Sequence, residues 1–265
     1  MKVLWVEAQI VLYWKRGVRI KNYRLVEVRG ALPTIVTLPD GSSINTLEGN
    51  ISKKATFVCQ EATCGREQNI LDSVSATKDT GPLSALVLQC FSKTRKTRGA
   101  PYSGRFFKAI EESDICRFNA VITEWNDRKF GDLKNYWPDE ELSYGWKTHG
   151  WSIPQHGFTH YWKFFNDRQL LVHSLLMKSI EESCGFSENA KNIALGVLQQ
   201  YLRNQNLFCF WNIQADKMEP MFTSNNFHSK SIPIENSVFS NLGRGNWESC
   251  VRTTIDALEW KKWPW

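Results

Sequence analysis

The chain has 265 residues, 42% of them hydrophobic and 23% charged, which is the balance of a globular protein and not of a disordered or fibrous one. No run of roughly 18 or more apolar residues is present, and the start, Met1 to Trp14, lacks the basic region and small-residue cleavage site of a secretory signal; neither a membrane span nor a membrane partner is expected. A net charge of +6 suits a polyanionic partner without demanding one.

Val3 to Trp14 is rich in β-branched and aromatic residues and reads as a strand, with Lys15-Arg16-Gly17 as its turn. Val18 to Val28 alternates as a half-exposed strand and would complete a hairpin. Ile35 to Leu38 is short and apolar. Pro39-Asp40-Gly41-Ser42 after it is a turn: Pro sets φ, Asp can bond its own backbone and Gly accepts a positive φ. Ala55 to Cys59, Leu83 to Cys90 and Gly104 to Ala109 are three further strands. A helix starts at Glu111-Glu112-Ser113-Asp114 and runs to about Asp127, its apolar face Ile115, Phe118, Val121, Ile122 and Trp125.

Lys129 to Lys163 is irregular but rich in aromatics, so an ordered, packed loop is expected there. The next helix begins at Asn166 or Asp167, with Gln169 three residues on as in a capping box, and it ends at Cys184-Gly185. Ser187-Glu188 opens a second helix with Ala190, Ile193, Ala194, Val197, Leu198, Tyr201 and Leu202 on one face, antiparallel to the first. Leu207 to Ile213 is a strand or a buried helix end, Met221 to Gly245 is irregular, and Trp247 to Trp260 is a last helix. The expected fold is α+β, with a strand-rich part over 1–128, a degenerate zinc ribbon as its candidate feature, and an aromatic loop with a helical part over 129–265.

Seven cysteines, an odd count with no signal segment, read as reduced thiols in a cytoplasm. Cys59 and Cys64 have the spacing of a zinc knuckle, and Cys90 and Cys116 are the nearest further thiolates that would complete a tetrahedral site; the alternative is ordinary buried thiols. Lys93, Arg95, Lys96 and Arg98 put four cations into one short loop, with Arg105 and Lys108 just beyond. Such a set suits phosphate contacts, or else a solvated loop that binds nothing. His173 lies inside the helix after Asn166 and reads as a packing or surface residue. No P-loop, G-x-S-x-G, G-x-G-x-x-G or H-E-x-x-H occurs.

Several stretches in one order resemble a known family. They are Ala55-Thr56-Phe57-Val58-Cys59 to Cys64-Gly65; Gly104 to Lys108 with Glu111 to Asp114; Phe164 to Leu171; Arg203-Asn204 and Trp211; Phe227 to Pro233; and Gly245-Asn246-Trp247. Together, over roughly 50–260, they resemble the middle part of the large adenine-specific DNA methylases of prokaryotic defence islands. That family holds S-adenosylmethionine at a glycine-rich turn before this region and acts through an Asp/Asn-Pro-Pro-Tyr motif after it. This chain has no Pro-Pro and no Phe-x-Gly-x-Gly, so the donor would bind only if another chain completed the site. The resemblance implies a non-catalytic part or subunit that contacts DNA while the target adenine is flipped out. Arg168 and Gln169 have the chemistry to read bases; equally, they can bond a carboxylate and close a helix cap. The alternative function is a protein–protein subunit of a larger nucleoprotein complex, docking through tryptophan-rich surface.

Overall fold

The computed structural model describes residues 11–16, 33–38, 40–47, 56–59, 63–69, 72, 83–91, 105–143, 153–212, 217–221, 234–239 and 244–260. The chain divides into two compact units: Met1–Arg16, Leu83–Glu141 and His160–Trp265 form the first, Gly17–Pro82 and Leu142–Thr159 the second. Helices and short strands are both present, a mixed α+β composition.

The second unit is built of small hairpins. Strands β1 (Val11–Arg16), of the first unit, and β2 (Ile35–Thr37) with β3 (Ser43–Asn45), of the second, come first in the chain. The turn between β2 and β3 works as its residues dictate: Gly41 sits at φ 82°, and Asp40 Oδ1 accepts from the Ser42 N–H at 3.0 Å. Strands β4 (Thr56–Val58) and β5 (Glu67–Asn69) form the other hairpin, closed by the Cys59 N–H donating to Arg66 O at 2.9 Å, with Gly65 at φ 55° in its turn. A helical turn, Ile153–His156, ends at Gly157 with φ 86°; Ile153 and Phe158 are buried.

The first unit holds a four-stranded antiparallel sheet in the order β10-β1-β6-β7, where β6 is Leu83–Phe91, β7 Arg105–Ala109 and β10 Ile234–Glu235. Strand β1 is central, pairing Leu12 with Glu235 on one side and with Leu88 on the other. Strands β8 (Phe210–Asn212) and β9 (Lys217–Glu219) make a separate ribbon. Four helices are described: α1 (Glu112–Arg128), α2 (Asp167–Glu181), α3 (Glu188–Leu202) and α4 (Trp247–Trp260). They pack in sequence, α1 on α2, α2 on α3 and α3 on α4. One cluster gathers Trp125, Leu133, Leu170 and Leu171; another gathers Ile180, Val197, Leu198, Tyr201 and Cys250; Leu88 and Cys90 of the sheet pack with Phe106 and Phe118.

Three details depart from the sequence reading. Strand β1 continues through Arg16, which pairs with Leu83, so Lys15 and Arg16, expected in a turn, are strand. Helix α2 stops at Glu181, and Glu182 caps it in a right-handed conformation, so Gly185 is not the terminating left-handed residue. Strand β10 falls in a stretch read as irregular. The hairpin partner expected over Val18 to Val28 lies outside the described residues.

Candidate functional site

The start of α2 carries a buried polar network. Asn166 Oδ1 accepts from the Gln169 N–H at 2.9 Å and Gln169 Oε1 accepts from the Asn166 N–H at 3.0 Å, a complete capping box. Such a box needs only the local spacing, which is why it is visible in the sequence. What the sequence does not show is Glu235. It is 2% exposed on β10, and its carboxylate accepts from Asn166 Nδ2 at 2.7 Å through one oxygen and from Arg168 Nε at 2.6 Å through the other. Arg168 also lies over the Phe118 ring at 5.7 Å, so the guanidinium joins α1, α2 and β10.

One turn further along α2, His173 is enclosed edge-on between Phe165 (5.1 Å) and Tyr201 (5.2 Å), and its Nε2 lies 3.0 Å from the carbonyl of Gln205. A carbonyl only accepts, so Nε2 carries the proton. Burial pushes the ring's pKa down to about 4, against the opposing pull of that carbonyl. Burial, and then the charge of Glu235, push the Tyr201 phenol well up. Gln205 Nε2 donates to Ser237 O at 3.3 Å and to Gly245 O at 3.1 Å. Gly245 stands at φ 74°, and a Cβ there would meet Asn204 Cβ at 2.4 Å; only glycine fits. Asn246 Oδ1 then accepts from the Ser249 N–H at 2.8 Å and caps α4, while Trp247 meets Tyr201 edge-on at 5.8 Å.

The predicted nucleic-acid contacts are distributed unevenly. Lys93, Arg95, Lys96 and Arg98 lie outside the described residues. Arg105 opens β7, its backbone paired with Phe91. Lys108 is bound to Asp114 at 3.0 Å and to Glu111 at 3.6 Å; burial alone would lower its pKa, and these carboxylates more than offset that. Arg168 is held by Glu235, and Gln169, 1% exposed, closes the cap; a side chain so placed does not reach a base edge. Both side chains make the bonds of the carboxylate-and-cap reading.

The four candidate thiols stand in four different surroundings. Cys59, half-buried, and Cys64, exposed, flank the β4–β5 turn of the second unit. In the first unit Cys90 is buried in β6, its thiol pushed up to about 11 by burial, and Cys116 is exposed on α1. Among the described residues no group of three or more histidines, cysteines and acids is placed to hold a metal.

His173, Tyr201, Gln205 and Glu235 are the residues that motif reasoning passed over as a group. Helical spacing puts Gln169 and His173 on one face, but nothing local points to Glu235, a single acid after an apolar pair. No family model, no curated protein and no solved structure matches the chain. No helix among the described residues is long and apolar enough to cross a membrane.

Proposed function

We propose that this chain is a non-catalytic, DNA-contacting part or subunit of an adenine-specific DNA methylase-like defence protein, to which another chain would bring S-adenosylmethionine and the methylating residues. The observation that supports it is convergence. Residues far apart in sequence are joined around these motifs: Asn166 and Arg168 of the marker helix bond Glu235, two residues past the Phe227 to Pro233 stretch, and Asn204 lies against Gly245. The surrounding network is a scaffold by its chemistry. Its histidine is neutral and enclosed, its carboxylate is occupied by two donors, and its phenol is buried. The cations that would hold phosphates are Lys93, Arg95, Lys96 and Arg98, and the net charge of +6 favours that sign of partner.

Duplex binding measured against salt tests this. Neutralising those four cations to glutamine should lower the slope of log affinity against log salt by about 3 to 4, since each phosphate contact contributes roughly 0.9. Absence of duplex binding even at low salt sinks the DNA reading. A second reading, an interaction subunit of a nucleoprotein complex, draws on one observation: the apolar stripe of α4 continues past its packed turns to Ile255, Leu258 and Trp260, which are 50%, 42% and 64% exposed. Ile255→Lys with Leu258→Lys should then abolish co-purification with a partner subunit while leaving any duplex affinity intact.

A further inference from the structure

The interior of the first unit contains polar atoms that the protein itself does not satisfy. Gln169 Nε2, His173 Nδ1, Tyr201 Oη and Gln205 Oε1 have no hydrogen-bond partner, and each belongs to a side chain more than nine-tenths buried. These four belong to neighbouring side chains. Gln169 and His173 are one turn apart on α2, His173 meets Tyr201 edge-on at 5.2 Å, and His173 Nε2 touches the Gln205 carbonyl at 3.0 Å. Gln169 shares its cap with Asn166, which holds Glu235, and the charge of Glu235 is felt by Tyr201. A fifth such atom, Gln89 Nε2, lies apart in β6.

The identity of each group follows from its other bonds. Gln169 Oε1 accepts from the Asn166 N–H, so the atom left over is a donor amide. His173 Nε2 carries the proton toward a carbonyl, so Nδ1 is an acceptor. Gln205 Nε2 is spent on two carbonyls, so its Oε1 is an acceptor. Tyr201 Oη can donate. Two donors and two acceptors are thus left over on neighbouring side chains, and no two of them bond to each other. That set complements the two hydrogens and two lone pairs of water. It carries no unpaired charge that would select an ion, because His173 is neutral and the Glu235 carboxylate is already bound by Asn166 and Arg168. Buried polar groups are rarely left unbonded, and four together in one native core would be exceptional.

We propose that the space between Gln169, His173, Tyr201 and Gln205 is an internal hydration site, holding one tetrahedrally bonded water or a short chain of them that ties α2 to the turn after α3. Here hydration replaces the direct bonds that the side chains cannot reach, and it makes the packing of α2 on α3 dependent on bound solvent. This inference does not depend on the DNA reading.

The sign of one substitution tests it. Tyr201→Phe removes a hydroxyl. If that hydroxyl bonds to water, its loss leaves the water and its other partners under-bonded, and the thermal midpoint falls by about 2 °C or more. If the region is dry, the same change removes an unsatisfied group and the midpoint stays or rises, which overturns the proposal. A high-resolution crystal structure of the full chain is the second measurement. Density for a water within hydrogen-bond distance of at least two of the four atoms supports the site. Direct pairing of the four through other rotamers, an empty apolar-like void, or a larger molecule in the density overturns it.

Discussion

The two ends of helix α2 are both fastened by charged side chains, yet they differ in kind. At the N-terminal end, Asn166 and Arg168 bind Glu235 inside the protein. At the C-terminal end, Lys178 reaches the Asp132 carboxylate at 3.2 Å and Glu182 at 3.7 Å, Arg128 grips Asp132 through Nε at 3.1 Å and Nη2 at 2.7 Å, and Tyr136 donates to Glu182 at 3.0 Å. By number of bonds the exposed end is the richer. By desolvation it is the weaker, because water solvates those groups nearly as well when they part, whereas Glu235 released from its partners would stay buried and charged.

Glu235→Ala should therefore have the largest effect. It strands Asn166 Nδ2 and Arg168 together, and removal of one partner of a buried pair costs about 3–5 kcal/mol; with Arg168 about a third exposed, the lower part of that range applies. Urea unfolding measures it, and a loss below about 1 kcal/mol would show that the buried end is no stronger than the exposed one. Gly245→Ala comes next. It imposes a positive φ on alanine and drives a Cβ into Asn204, a strain of about 2 kcal/mol that should appear in the same assay.

The same contrast explains what could be read in advance. The capping box at Asn166 and Gln169, the Ser187 cap that accepts from the Ala190 N–H, the Asp40-Gly41 turn and the span Trp247 to Trp260 are all set by residues within one turn of one another, so spacing alone reveals them. Strand β10 has two residues and exists only because β1, from the other end of the chain, lies beside it; no local pattern marks it. Arg168 and Gln169 suited both base reading and cap closure, with the cap and carboxylate bonds favoured, because a residue type does not record its partner. The bonds to Glu235 and Asn166 exist only once the chain is folded. Likewise Ile193 belongs to the clean apolar pattern of α3 but is 41% exposed, since periodicity identifies a face without saying how far its cover extends.

Acid separates the two ends of α2 without any mutation at the buried pair. His173, close to that pair, has a folded pKa near 4 against an unfolded value of about 6.5, so between those values the unfolded chain binds a proton that the folded chain refuses. Stability from this group is complete above about pH 6.5 and falls as the pH drops toward 4, by up to about 3 kcal/mol. Asp132 behaves differently: Arg128 first, and then Lys178, hold its carboxyl below the usual carboxylate range. Its contribution is complete above about pH 4 and is lost only as the pH falls further, through the folded value. His173→Gln should accordingly flatten the stability curve between pH 6.5 and 4, and Asp132→Asn should alter it only below that window and hardly at all in high salt. If instead Asp132→Asn flattens the upper window, the exposed network, and not the enclosed histidine, sets the acid response of this helix.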